Sequence, residues 1–468
     1  MNEDPLALLP ELILLLGAVA VLMLGSFLPR QRQWLARVAT AAVLSGSAVA
    51  SGVALAGPDR LVFDDTFAVD GLTATARLVC ALSGLLLLGL LSEELHGDPR
   101  ESEHYVLLLF SVLGTQVLAG SNDLLLLTVG YLLASVPLYA LAGAARDSSG
   151  TEAALKTYLL GAFLGIAMLL GVVLLSGVVG GTAYALLAGL GATSQPVVAV
   201  GVVALLAGLA FKGGFVPGHF WVPDAAEGAR TGAAALLTTI PKVGGLLAAY
   251  RVLAAVPTDV VDWPLLVAVL AAATMTLGNL AAFGQDSVRR LLGWSSVSQA
   301  GYLLMAVAVA GRTELALPSL SLYLAAYAVT NLGSFAVCAA LPQATRIEHY
   351  RGLATGRPWL ALSLLVLLLG LVGTPPTGVF VGKLTVFAAA LDGGLDWLVV
   401  VAAGNTVASL FYYLRWIAPV FQREGAAQAA PPPVRPIAAV SAVAAAVASV
   451  ALGIAAGAVL ALAPQLLG

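Results

Sequence analysis

Phe211-Lys212-Gly213-Gly214-Phe215-Val216-Pro217 puts a lysine, two glycines and a proline inside an apolar run that would otherwise cross a bilayer. A second stretch, Gly373-Thr374-Pro375-Pro376-Thr377-Gly378, interrupts another such run with a pair of prolines. Proline removes a backbone donor and clashes with the preceding turn, so each stretch ends a helix in the middle of apolar sequence. Interrupted helices at corresponding positions of two halves mark an inverted-repeat transporter fold with its ion site near the membrane midplane.

The surrounding sequence agrees with a membrane location. Of 468 residues, 60% are hydrophobic and only 10% charged, and the mean hydropathy is +0.97, whereas soluble domains carry about 25% charge. A bilayer core needs about 20 apolar residues per helix. Apolar runs of that size lie near 9–28, 35–57, 71–92, 104–119, 122–144, 155–178, 197–217, 231–254, 264–283, 296–311, 317–341, 358–390, 396–421 and 436–463. The sequence therefore predicts an all-α integral membrane protein of about fourteen transmembrane helices, with two inverted five-helix repeats and broken seventh and twelfth helices. Repeats at 104–254 and 264–421 each place the break in their fourth helix, after an N-terminal three-helix segment, 1–103, and before a C-terminal helix, 433–468. Gly180 to Pro196 is apolar but rich in small residues, and reads either as a span or as a lateral external segment.

Charge fixes the expected orientation. Loops after odd-numbered spans hold Arg30, Arg32, Arg100, Arg146, Arg230, Arg289, Arg290, Arg346, Arg351, Arg357, Arg423 and Arg435, while loops after even-numbered spans hold little beyond Arg60, Arg251 and Arg312. By the positive-inside rule the N-terminus faces outward, and with fourteen spans the C-terminus does too. Met1 to Pro5 has two acids and no basic side chain, unlike the start of a cleaved signal peptide, so Pro10 to Leu28 reads as a retained first span.

The four lysines are Lys156, Lys212, Lys242 and Lys383, and the last three fall well inside apolar runs. Nearly all eighteen arginines lie in loops or at span ends. Arginine keeps its charge under ordinary conditions, whereas a desolvated lysine can release its proton, which a buried relay requires. An ionisable residue within a membrane is a functional candidate by default; the competing reading is a side chain that snorkels to the interface or pairs structurally. His219 follows Lys212 by seven residues, so both face one cavity if the helix resumes after Pro217. Asp224, Glu227 and Arg230 read either as a proton entry or as a solvated helix connection. Asp286 with Arg289 and Arg290 reads as an anchored inner loop, and Glu152 with Lys156 as an i,i+4 ion pair.

Other chemistries find little support. Cys80 and Cys338 are far apart in apolar sequence and offer no Cys-x-x-Cys or iron–sulfur ligand set. Gly382-Lys383 is followed by Leu384, so no Walker loop forms there. A net charge of −3 gives no electrostatic reason for a nucleic-acid partner.

The stretch FKGGFVPGHFWVPDAAE, Phe211 to Glu227, with Thr238-Thr239-Ile240-Pro241-Lys242, resembles the antiporter-like subunits of respiratory complex I and of Mrp-type cation/proton antiporters. RRLLGWSSVSQAGYLL from Arg289, GLVGTPPTGVFVGK from Gly370 and FYYLRW from Phe411 look most like the subunit N family of bacterial NADH-quinone oxidoreductase. The resemblance runs from about Glu103 to Pro419. It implies that Lys212 is the seventh-span lysine, Lys242 the eighth-span lysine bridging two half-channels and Lys383 the twelfth-span residue near the outer exit, a proton relay to which the spacing from Lys212 adds His219. It further implies a bacterial plasma membrane location, partner subunits of the membrane arm, and no cofactor in this chain, with FMN, iron–sulfur clusters and quinone held by partners. The alternatives are an Mrp-type sodium/proton antiporter subunit and a structural subunit that does not pump. One departure stands out: the family places a glutamate five residues before the fifth-span proline, and here that position, before Pro137, is Leu132. Asp123 and Glu152 are the nearest fifth- and sixth-span acids by sequence, and a Leu132→Glu change is expected to be tolerated by giving Lys212 a partner.

Overall fold

A computed structural model describes residues 3–192, 195–422 and 433–467; Arg423, counted above among the inner-loop arginines, lies outside them. The helices are α1 (Leu9–Phe27), α2 (Trp34–Leu55), α3 (Gly71–Glu94), α4 (Glu101–Gly120), α5 (Leu124–Ala142), α6 (Ser148–Val179), α7 (Gln195–Gly213), α8 (Trp221–Gly228) and α9 (Thr231–Ala254). They continue with α10 (Trp263–Phe283), α11 (Val288–Ala308), α12 (Ala316–Ala340), α13 (Leu353–Gly356), α14 (Pro358–Val372), α15 (Gly378–Asp392), α16 (Asp396–Val420) and α17 (Pro436–Leu467). Among the described residues thirteen helices are long and apolar enough to cross a membrane, and the broken pair α14–α15 supplies a fourteenth span. Asp70, Asp123, Asp147 and Asp262 start their helices by accepting backbone N–H bonds of the first turn, the usual remedy for orphan donors at a helix N-terminus.

Two details depart from the sequence reading, and one alternative it left open is decided. Residues 60–69 form a hairpin, β1 (Arg60–Val62) antiparallel to β2 (Phe67–Val69), within the otherwise helical chain. Gly180 to Pro196 is not a span: it contains a 3-10 segment, Tyr184–Ala192, and Ala183 bridges to Asp123. The tenth span starts at Val288 and not near 296, because Ser295, Ser296, Ser298 and Gln299 break the apolar run while finding partners inside the bundle.

Contacts between loops sort them into two faces. On one, Asp4 pairs with Arg60, Ser121 bridges to Phe67, and Arg251 reaches Asp70. On the other, Arg230 pairs with Asp98, Ser287 bridges to Arg346, and the Arg435 amide donates to Ala340. The loops after odd-numbered spans share the second face, so the parity of the span count holds. Burial raises the Asp70 carboxyl, but the Arg251 guanidinium and Thr73 outweigh this and hold it below the usual carboxylate range. The pair therefore supports the fold fully at neutral pH and loses that support only as pH falls through the lowered value.

Helix packing relies on small residues, as expected where lipid gives no hydrophobic drive. A Cβ on Gly114 would meet the Ala134 backbone at 2.3 Å, and one on Gly301 would meet the Met275 backbone at 2.5 Å. The N-terminal helices are joined by an ion pair that composition did not reveal: buried Arg77 of α3 donates to both carboxylate oxygens of Glu11 of α1 at 2.7 Å. Glu11→Leu alone leaves a buried guanidinium unpaired and is expected to cost roughly 3–5 kcal/mol. Glu11→Leu with Arg77→Met is expected to recover most of it, as read by thermal denaturation of the solubilised protein. Equal stability of the single and double variants would refute this account of the pair.

Candidate functional site

The seventh span ends its first half at Gly213, and the chain turns through Gly214, whose φ of +67° is left-handed, before α8 begins at Trp221. A helix end inside a membrane leaves carbonyls that water cannot reach, so they need partners from the protein. Here each has one. The Gly213 carbonyl accepts from Lys242 Nζ of α9 at 3.0 Å, and the Phe211 carbonyl accepts from Trp221 Nε1 at 3.1 Å. The Val216 amide donates to Thr274 Oγ1 of α10 at 3.1 Å. Close approach of α7 and α9 requires Gly245, since a Cβ there would lie 2.8 Å from the Gly213 nitrogen.

The twelfth span repeats the arrangement. α14 ends at Val372, Gly373 takes a φ of +89°, and Lys383 Nζ donates to the Val372 carbonyl at 2.8 Å. Gln299 Nε2 covers the neighbouring Leu371 carbonyl at 2.8 Å. In both places an amine meets the carbonyl end of a half-helix, where the helix dipole favours a cation.

Lys212 differs. It is buried in the last turn of α7, and its Nζ has no hydrogen-bond partner among the described residues. Its ammonium lies 4.9 Å from the Tyr131 ring centroid. Lys242 and Lys383 also face tyrosine rings, Tyr327 at 6.0 Å and Tyr302 at 4.1 Å. Ring faces attract a cation without supplying a fixed negative charge.

Leu132 does not occupy the place expected of a Lys212 partner. It is 51% exposed on the outer face of α5, while Tyr131, one residue earlier and about 100° around the helix, is buried against Lys212. His219 is also corrected. The helix does not continue from Lys212, and His219 lies in the turn before α8, stacked on Phe220 at 4.2 Å and near Trp294 at 5.9 Å. It is buried, and neither ring nitrogen has a hydrogen-bond partner of normal geometry.

Between Lys242 and Lys383 lies a buried polar cluster of uncharged side chains, which the charge pattern of the sequence does not mark. The Thr238 carbonyl accepts from Tyr327 and Ser296, which also bond each other at 2.8 Å. Asn331 donates to Thr238 and Thr239, Ser295 pairs with Tyr413, and Tyr323 donates to Gln299 at 2.6 Å. Four polar residues within Ser295 to Gln299 of a transmembrane helix were the available signal.

The acids near the arginine-rich face form a separate cluster. Lys156 pairs with Glu152, as the i,i+4 spacing predicts, and with Asp224, each at 2.7 Å. Asp224 also binds Arg290 at 2.6 Å, and Arg290 reaches Glu227 at 3.1 Å, so α8 is tied to α6 and α11 at once. Arg289 donates to the Ala229 carbonyl at 2.7 Å. Asp286, Arg289 and Arg290 thus act as anchors of helix connections.

Tyr131→Phe keeps the ring under Lys212 and is expected to preserve the amount of mature complex, whereas Tyr131→Leu removes about 2 kcal/mol of cation–π attraction and lowers it. Leu132→Glu is now expected to lower it as well, because the carboxylate emerges at the apolar surface and not beside Lys212. Quantifying the subunit in purified membranes checks both; wild-type levels of Leu132→Glu would contradict this orientation of α5.

The model of the NADH:quinone oxidoreductase/Mrp antiporter transmembrane family matches residues 121–409. NADH-quinone oxidoreductase subunit N 1 of Streptomyces griseus is 53% identical over 462 residues, covering 98% of each chain. NADH-quinone oxidoreductase subunit N of a Mycobacterium strain is 53% identical over 421 residues, covering 90% of this chain and 89% of the relative. Respiratory complex I from Thermus thermophilus contains a chain that superposes with a TM-score of 0.82 at 33% identity, over 97% of this chain and 98% of that one. With both broken spans in place and similarity running nearly end to end, the chain belongs to the subunit N family of NADH-quinone oxidoreductase, within the antiporter-like membrane proteins.

Proposed function

We propose that this chain moves protons in the membrane arm of an NADH-quinone oxidoreductase of the bacterial plasma membrane, through Lys212, Lys242 and Lys383, with His219 at the inner end of the route. One observation carries the reading: three amines lie deep in the bundle, at or beside two helix breaks, with buried hydroxyl and amide side chains lying between Lys242 and Lys383. A group that hands on a proton must exist with and without its charge, and an amine held by carbonyls and ring faces meets that need better than one locked to a carboxylate.

Electrons pass from NADH through FMN and iron–sulfur clusters to quinone in partner subunits, and this chain responds to them through charge and conformation. The arginine-rich face is cytoplasmic, which puts both termini outside. The division into repeats at 104–254 and 264–421 fits the helix order: α4, α5, α6, α7–α8 and α9 against α10, α11, α12, α14–α15 and α16, each broken in the fourth member. A second reading, a structural subunit that does not pump, is favoured by Lys212 facing a tyrosine ring with no hydrogen-bond partner for its Nζ among the described residues.

Lys242→Ala and Lys383→Ala, each in the assembled complex, are expected to reduce the protons moved per NADH oxidised while leaving assembly intact. Proton uptake and NADH oxidation measured together in vesicles test this; unchanged ratios in both variants would establish the structural reading.

A further inference from the structure

At the arginine-rich face, the α3–α4 turn, the start of α4 and the α5–α6 turn enclose a cavity of about 390 Å³. Arg100, Arg146, Arg230 and His104 line its polar part, and Leu107 and Ala140 its apolar part. Two carboxylates also reach it. Asp98 is neutralised by Arg230 at 2.6 Å, and Glu103 lies 3.9 Å from Arg100 with both side chains more than half exposed. Among the described residues no carboxylate pairs with Arg146. His104 is only 6% exposed; its Nδ1 lies 2.8 Å from the Arg100 carbonyl and so carries the proton, which leaves Nε2 buried at the cavity without a partner.

The apolar end opens onto one exposed face of α5. Ala140 is exposed, and below it Val136, Leu132, Val129 and Leu125 are 64%, 51%, 53% and 57% exposed. Their spacing of three and four residues makes a single stripe about 22 Å long at 1.5 Å per residue, enough to cover the roughly 15 Å of one leaflet. A soluble anion explains the arginines but not the stripe, and a lipid tail explains the stripe but not the arginines or the orphaned imidazole.

We propose that the cavity seats the headgroup of an anionic diacyl phospholipid. Its phosphate lies between Arg100 and Arg146, a headgroup hydroxyl donates to His104 Nε2, and an acyl chain follows the α5 stripe. The test uses the assembled complex in phosphatidylcholine vesicles doped with a photoactivatable diacyl phosphatidylglycerol, with cross-links mapped by mass spectrometry. Labelling of α5 is expected, falling roughly tenfold in Arg100→Gln/Arg146→Gln as two phosphate contacts are lost, and unaffected by soluble glycerol phosphate. Ala140→Trp, which blocks the apolar end and leaves both arginines in place, is expected to reduce it as well and decides the matter if the double variant does not assemble. Undiminished labelling in either variant overturns the proposal. So does displacement by glycerol phosphate, which would make this a site for a free anion, or cross-linking of the α5 stripe to a neighbouring subunit, which would make it a protein interface.

Discussion

A helix that stops inside a bilayer exposes carbonyl groups to a medium with no water to bind them, and the rest of this structure follows from how that need is met. Lys242 supplies the donor for Gly213, and Lys383 supplies it for Val372. The breaks therefore depend on the amines, and the amines find in the breaks the partly negative carbonyl ends that make a buried cation tolerable. A charged amine makes a stronger hydrogen bond than a neutral one. Either lysine thus holds the end of a half-helix through a backbone carbonyl.

Aromatic rings complete the surroundings of all three lysines. Tyr131, Tyr327 and Tyr302 each present a face to one amine. Such a face stabilises a desolvated ammonium by about 2 kcal/mol or more, without supplying the fixed negative charge of a carboxylate. Around these rings Ser296 with Tyr327 and Gln299 with Tyr323 join α11 to α12 by hydrogen bonds. Both helices are almost wholly buried, while α1, α2, α6 and α17 take the outer positions. Polar residues in the interior helices carry no solvation penalty as long as every group finds a partner.

The second set of constraints lies at the arginine-rich face. Asp224 binds Lys156 and Arg290 together, so the short helix after the first break is held from two sides. Movement of α8 would have to break charge-assisted bonds at its outer end while the Lys242 bond changes at the other side of the break.

Much of this was legible in the sequence. Hydropathy gave the spans, arginine placement gave their parity, and Gly-Pro stretches located both breaks, because each is a local consequence of backbone chemistry in an apolar medium. The rarity of lysine in apolar runs singled out Lys212, Lys242 and Lys383 for the same reason. What each amine touches was decided by the tertiary structure alone. The Gly213 carbonyl is met by a residue 29 positions away and the α11 polar groups by partners from 19 to 118 positions away. Tyr131 and not Leu132 faces Lys212 because the rotation of α5 is set by close contacts such as Gly114 against Ala134, which no periodicity in a uniformly apolar helix records. Sequence alone determined that charge must be buried near broken helices; only packing decided which atoms would share it.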